Sequence, residues 1–458
     1  MQALEGSNKI SEYLKNVCEQ IRWKKAHRVI SKELEDHIVD QKDAFISQGM
    51  EEDAAIEKAI QEMGDPIIVG SELDRTHKPK PQWSLIFLTG VLLILGVIIR
   101  EFIAYDSGVM GRTGGNIVLM VFGIGAMALA YFLDYTIIGK YPRFIYFTLI
   151  AITIGVLAMS PRYMAQSYYP KFLMLLFPTA FAGIIYNMKN KGYIGIILSG
   201  IYFIFPALIC LQIPSLSSLA LYSITCLIIL TYAILKDTFN VKKLNAMLLV
   251  YIPTIITPFI LFKFAVTYQI ERLKAALNPS LDPLGWGWMA NLTRNIIANA
   301  KFIGQSQFGI EIYGVEPEKL LPNINTDFLL TYLIDRLGWI SFIVIMAILC
   351  VFIVRSFKFT IKQKNVLGGL ISTSIIINFI MQVLIYVVNN LGFQLIAPLS
   401  LPLISYGRIA TFINMFLIGI MLSVFRYSTL YSSKESTSMV SKKTFNFVDG
   451  KIIIDLNR

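Results

Sequence analysis

Ten apolar stretches, each about long enough to cross a membrane, constrain this chain more than any other feature. They lie near 83–103, 116–136, 143–160, 172–188, 193–212, 217–235, 245–266, 327–354, 365–388 and 400–425. A hydrocarbon core about 30 Å thick needs about 20 helical residues to span it. Backbone polar groups inside it must be satisfied within the segment itself. The expected fold is therefore all-α: a polytopic membrane protein with ten transmembrane helices and a small soluble helical domain ahead of them. Hydrophobic residues make up 55% and charged residues only 16%, which excludes an ordinary soluble enzyme. The net charge of +11 does not point to nucleic acid, because the basic residues fall mostly in short loops between apolar stretches.

Those basic residues orient the chain. With the N-terminus cytoplasmic, the short inner loops hold Lys140, Arg143, Lys189, Lys191, Lys236, Lys242, Lys243, Arg355, Lys358, Lys362 and Lys364. The short outer loops hold Arg100, Arg112, Arg162 and Lys171. Eleven against four fits the positive-inside rule with both termini cytoplasmic. The first eighty or so residues are polar and charged, so the first apolar stretch is expected to serve as the insertion signal. The connection 267–326 is the one long loop, and it falls outside. Long structured loops among short ones are usually functional.

Residues 1–76 read as a cytoplasmic helical domain. In "VISKELEDHIVDQKDAF", Ile30, Leu34, Ile38 and Phe45 share one helical stripe. "MEEDAAIEKAIQEMGDP" repeats the pattern with Ala55, Ile56, Ala59, Ile60 and Met63. Gly64 is the expected C-cap and Pro66 the expected stop. A small three-helix bundle or docking module results. The stretch also resembles the HAAS-type helical domain attached to bacterial membrane proteins, which implies no chemistry. Residues 77–82 form a stiff basic linker, 83–426 the membrane domain, and 427–458 a Ser/Thr/Lys-rich cytoplasmic tail. The tail is expected to be mostly disordered, with "KIIIDL" a short strand.

The chemistry must come from few groups. His27, His37 and His77 all precede the first apolar stretch, so no histidine triad or His-metal site can form in the membrane domain alone. Cys18, Cys210, Cys226 and Cys350 make no metal or redox spacing, and the last three read as core residues. Glu101 and Asp134 sit near span ends and read as structural. Asp335 and Arg336 read as an internal structural pair with their neighbours. Asp327 stands apart. "LPNINTDFLLTYLIDRLGWI" (321–340) puts this carboxylate where an apolar helix begins, just after the long loop. Asn325, Thr326 and Asp327 are good N-cap types, and a carboxylate there gains from the helix dipole. The same place suits a general base for an amphiphilic substrate.

Three strings then carry a resemblance. "NPSLDPLGWGW" (278–288), "LPNINTDFLLTYLIDRLGWI" (321–340) and "LPLISYGRIATFINMFLIGIMLSV" (401–424) resemble, in order, motifs of the SEDS family of bacterial cell-wall polymerases, the FtsW/RodA/SpoVE type. The resemblance covers about 83–426. It implies a peptidoglycan glycosyltransferase in the bacterial plasma membrane, polymerising lipid II at the outer face in division, elongation or sporulation. The family's catalytic aspartate falls on Asp327. Lys171, Lys319 and Arg408 become candidates for the pyrophosphate, and Asn325, Gln382, Asn390, Ser405 and Tyr406 for the substrate cavity. A class B penicillin-binding protein is the implied partner. The sequence leaves a cofactor open: a divalent cation, Mg or Mn, would suit the leaving pyrophosphate.

The chain departs from the family pattern. Asn325 stands for the usual His, Asn323 for a Glu, Arg336 for the second Glu of EELG, and Tyr386 for an Asn. Arg408, Ile409 and Ala410 replace Gly-Ser-Ser, Ser215 stands where an Asp is usual, and Tyr168 replaces a Glu. These losses keep two other readings open: a flippase for the lipid-linked precursor, and a non-catalytic scaffold of a cell-wall complex. A transporter needs polar groups at the membrane midplane. Here the best polar groups lie outside, which favours the polymerase.

Overall fold

The computed structural model describes all residues except 1, 79–80, 107–112, 160–161, 164–165, 168, 214, 264–266, 307–319, 395, 398, 406, 441–444, 449–450 and 455–458. The chain divides into two compact units, 1–81 with 426–458, and 82–425.

The first unit holds four helices where three were expected: α1 (Gln2–Gln20), α2 (Lys24–Ser47), α3 (Glu52–Met63) and α4 (Pro66–His77). Val17, Ile21, Ala26, Ile30, Ile38, Ala55 and Ala59 form its core. Gly64 ends α3 at φ 87°. Pro66 lies past the end of α3. It opens α4, since proline is pre-organised for a first helical turn, and the Asp65 side chain accepts from Ile67 N at 2.7 Å to cap it. Trp23 stacks on Tyr427, with ring centroids 5.3 Å apart.

The second unit begins with α5 (Trp83–Asp106), α6 (Thr113–Phe132), α7 (Thr136–Lys140) and α8 (Pro142–Met159). A two-residue hairpin, β1 (Arg162–Tyr163) with β2 (Gln166–Ser167), leads to α9 (Pro170–Leu173) and α10 (Phe177–Asn187). Next come α11 (Gly192–Gln212), α12 (Leu216–Leu235), α13 (Lys243–Lys263), α14 (Thr267–Leu277) and α15 (Trp288–Ala298). The last four helices are α16 (Leu329–Leu337), α17 (Trp339–Ile361), α18 (Val366–Asn390) and α19 (Arg408–Val440). Among the described residues, eight helices are long and apolar enough to cross a membrane: α5, α8, α11, α12, α13, α17, α18 and the apolar part of α19. The fold is all-α apart from β1–β2 and a terminal hairpin, β3 (Phe445–Val448) with β4 (Lys451–Ile454).

The two remaining apolar stretches fall on α6, a helix of 20 residues, and on a broken segment. The stretch 172–188 is broken into α9, a 3-10 turn at Met174–Leu176 and α10. Pro178, in the first turn of α10, has no N–H with which to continue a helix through the break.

Three further expectations are corrected. The stretch 327–354 is two helices, divided at Gly338, whose φ is 88°. The first part of the tail is helical, because α19 continues to Val440; extending an existing helix avoids the cost of nucleation. The strand expected in "KIIIDL" is present as β4. Cys210 and Cys226 are buried, whereas Cys350 lies on the exposed face of α17.

α18 is the centre of the second unit. It packs chiefly against α10 and α12. Its polar residues recur every fourth position: Ser374, Asn378, Gln382, Tyr386 and Asn390. That spacing puts all five on one helical stripe, and all five are buried.

Candidate active site

The turn before α16 is built by Asn323. Its φ of 52° is left-handed, a conformation asparagine adopts more readily than most residues. From there its carbonyl accepts from Thr326 N and Asp327 N, both at 2.9 Å. Its side-chain Nδ2 donates to Asp327 Oδ2 at 3.3 Å. Backbone and side chain of one residue therefore fix the aspartate's position.

Asp327 does not cap the helix. The N-cap position is Phe328, and no side chain of its own segment caps α16. The caps come from α18. Tyr386 Oη accepts from Leu329 N at 3.2 Å and donates to the Thr326 carbonyl at 2.6 Å. Asn390 Oδ1 accepts from Thr331 N at 3.1 Å, while its Nδ2 donates to the carbonyls of Asp327 (2.9 Å) and Tyr386 (3.0 Å). Thr331 Oγ1 donates to the Asn390 carbonyl at 2.9 Å. The orphan N–H groups of a helix start are thus satisfied in trans. The Asp327 carboxylate is left for other work.

Its electrostatics suit that work. Burial pushes the Asp327 carboxyl above the usual carboxylate range. The nearby Lys171 ammonium and hydrogen bonds from Asn323 and Thr326 pull it back down. Lys171, on α9, is held below the usual lysine range by burial and is drawn back up by Asp327. The two residues lie 156 positions apart in sequence and act on each other at one end of the bundle. Asn325 is exposed beside them.

The far end of α16 is also anchored. Arg336 Nε lies 3.0 Å from Asp106 Oδ2 at the end of α5, and Tyr332 Oη donates to the same carboxylate. Asp335 is buried, and its carbonyl accepts from Ser306 N at 2.9 Å. Trp339 N and Ile340 N, the first amides of α17, donate to the carbonyls of Lys301 and Phe302 at 3.1 Å each. A Cβ at Gly338 would sit 2.6 Å from the Phe302 oxygen. Glycine is therefore needed where the loop closes on the α16–α17 break.

The loop's first motif is a knot. Asp282 accepts from Gly285 N at 3.0 Å and Trp286 N at 2.8 Å. Asn278 accepts from Ser280 N at 3.3 Å, and Asn291 Nδ2 donates to the Pro279 carbonyl at 3.2 Å. A Cβ at Gly287 would meet the Pro279 oxygen at 2.2 Å. "NPSLDPLGWG" is thus a backbone device. From α15, Arg294 Nε donates to the Gly392 carbonyl at 3.0 Å, just past α18. Leu292 and Ile296 pack with Leu321 and Phe328. The loop and the aspartate's turn share one small core.

The other candidates separate. Asn390 is at the site, but it binds backbone there. Gln382 lies two turns deeper and exchanges two 3.1 Å hydrogen bonds with Asn414 of α19. Ser405 is buried and donates to Leu401 O at 3.2 Å. For Gln382 and Ser405 the described partners are protein groups. Lys319 and Tyr406 lie outside the described residues, as does the side chain of Arg408. Among the described residues no three His, Cys, Asp or Glu side chains gather to hold a metal ion. Among the described residues, the side chains that act on Asp327 are a lysine, an asparagine and a threonine, which do not fit a resident divalent cation. Nothing in the linear pattern marks Tyr386 and Asn390 as caps or Asp106 as the partner of Arg336. The four-residue polar repeat of α18 puts Tyr386 and Asn390 on one stripe but does not show what they bind.

Residues 77–430 match the family model described as cell cycle protein, FtsW/RodA/SpoVE. The chain belongs to the FtsW/RodA/SpoVE family. It is similar to a probable peptidoglycan glycosyltransferase FtsW of Trichlorobacter lovleyi, 29% identical over 34% of this chain and 40% of the relative. It is also similar to stage V sporulation protein E of Bacillus subtilis, 29% identical over 35% and 43%. The match to FtsW of Wigglesworthia glossinidia brevipalpis is 32% identical over 48% and 55%. The matched segments thus span about half, or less, of these relatives' own lengths. In fold, the chain resembles a component of a structure described as a peptidoglycan synthase complex coordinating polymerization and crosslinking, with TM-score 0.62 and 17% identity over 76% of this chain and 98% of that one. It also resembles the rod shape determining protein RodA of Thermus thermophilus, with TM-score 0.51 and 12% identity over 76% and 97%. This FtsW/RodA/SpoVE member is a multi-pass membrane protein.

Proposed function

We propose that this protein is a peptidoglycan glycosyltransferase that polymerises lipid II, with Asp327 as general base. The observation that carries the reading is a carboxylate released from capping, raised above its usual range by burial and paired electrostatically with Lys171. A sugar hydroxyl is a poor nucleophile. As its oxygen bonds to the donor's anomeric carbon, the carbon–oxygen bond to the lipid pyrophosphate breaks, and that electron pair leaves with the phosphate. The hydroxyl proton passes to Asp327, a role that needs one positioned carboxylate. Lys171 offers positive charge beside the leaving pyrophosphate. The names of the matched FtsW relatives support this reading.

In this reading the Asp327 end of the bundle faces outward, both termini are cytoplasmic, and the ten apolar stretches all belong to the membrane domain. A class B penicillin-binding protein crosslinks the product. The four-helix N-terminal unit is a HAAS-like docking or regulatory module. A flippase is disfavoured because Asn378 and Gln382, the deep polar groups, are engaged with Leu175 and Asn414. The test is polymerisation of lipid II by the purified full-length protein, alone and with a class B penicillin-binding protein. Glycan strands are expected. Their absence under both conditions, with the protein correctly inserted, refutes the assignment.

A further inference from the structure

We infer that Tyr386 is a positioning residue for the Asp327 base, its hydroxyl clamping the turn that carries the carboxylate from both sides. The inference rests on the proposed reaction. The hydroxyl accepts from Leu329 N at 3.2 Å and donates to the Thr326 carbonyl at 2.6 Å. Those two residues flank the pair Asp327–Phe328, so one oxygen fixes the chain on either side of the base. Tyr386 is completely buried. Its helix is tied down by Asn378 Nδ2 on the Leu175 carbonyl at 2.7 Å and by the Gln382–Asn414 pair. The clamp thus stands on a rigid element, which is where a site gains precision.

Its chemistry differs from that of Asn390 beside it. Asn390 reaches Thr331 N and the Asp327 carbonyl, so it holds the backbone of the base from within the helix start. Tyr386 closes the turn around it. A rigid phenol can bridge a carbonyl and an amide with one atom, since a hydroxyl is both donor and acceptor. Removing that oxygen leaves two buried backbone groups without their partner. The Thr326 carbonyl must then find water, and the Leu329 N–H competes for water or for the Asp327 carboxylate itself. A displacement of about 1 Å at a base can cost as much as a hundredfold in rate.

Tyr386→Phe in the full-length protein tests this. The side chain keeps its packing and loses one oxygen. With lipid II as substrate, kcat is expected to fall about ten- to a hundredfold while KM stays within about twofold. The acid limb of the kcat–pH profile should move to lower pH, because a loosened turn lets water reach a carboxylate that burial now holds high. A merely structural role would lower the amount of active protein and leave the limb and KM unmoved. A variant with wild-type kcat, or with an unmoved limb, overturns the inference. Should the variant fail to insert, hydrogen exchange on the wild-type protein decides. Slow exchange at the Leu329 amide, comparable to amides inside α18, is expected, and fast exchange there overturns the clamp. A wild-type protein that makes no glycan refutes the polymerase reading instead, and leaves the exchange result to judge the clamp.

Discussion

α13 and α18 both read as apolar stretches, yet the structure uses them oppositely. Only 11% of the apolar window of α13 is buried inside the protein, against 67% for α18. Their polar residues explain the difference. In α13, Thr254 and Thr257 donate to the carbonyls of Val250 and Pro253, each four residues back in the same helix, at 2.8 Å. Such a side chain asks nothing of its neighbours and can face lipid. In α18, Asn378, Gln382, Tyr386 and Asn390 reach beyond their own helix to Leu175, Asn414, Thr326 and Thr331. Ser374, one turn earlier, lies 3.2 Å from Thr179 of α10. Amides cannot satisfy themselves as threonine does, so the helix that carries them must be surrounded by protein. What separates core from periphery here is the kind and spacing of polar groups rather than apolarity.

That contrast can be broken by mutation. The largest effect is expected at Asn390. Asn390→Ala removes the partners of Thr331 N and the Asp327 carbonyl together, which should cost about 2–3 kcal/mol and more than about tenfold in polymerisation. Unfolding in detergent, read with a turnover assay, checks both. An unchanged midpoint would mean that α16 is capped in another way.

A smaller effect is expected in mid-helix. Gln382→Leu should cost about 1–2 kcal/mol by stranding the Asn414 amide. Adding Asn414→Leu should recover most of the loss, because replacing both partners with apolar groups is nearly neutral. Equal and additive losses would show that the two amides are not coupled.

The smallest belongs to α13. Thr254→Ala should change stability by less than about 0.5 kcal/mol, since it removes only a self-contained bond on an exposed helix. A loss as large as that of Gln382→Leu would abolish the distinction between the two helices.

Much of this was legible in the sequence. Apolar length gave the membrane helices, because a bilayer demands it. The helical stripe of Ile30, Leu34 and Ile38 gave the N-terminal core. Asp327 could be singled out because carboxylates are rare in such a chain. Residue type alone left cap and base both open: "NINTDF" offers three good caps, and a linear reading cannot see that Tyr386 and Asn390, about sixty residues on, cap the helix instead. The break at Gly338 was hidden for a similar reason. A glycine inside an apolar run looks tolerable until Phe302 arrives from the loop. Arg336 was placed in a structural pair, but its partner, Asp106, lies 230 residues away, and no periodicity joins them. Local pattern is written in the sequence, whereas capping across helices is written only in the packing.

By capping α16, α18 frees Asp327 to act as a base. Asp327→Asn tests it most directly, with stability and polymerisation measured on the same preparation. Asn is about as good a cap as Asp, so a capping role predicts near-normal activity. A general-base role predicts an inserted protein with an unfolding midpoint close to wild type and polymerisation reduced by roughly 10²–10⁴-fold. The wild-type profile should lose activity on acidification above the usual carboxylate range, where the buried carboxylate takes up its proton. An Asn variant that still elongates glycan strands at near wild-type rate would contradict it.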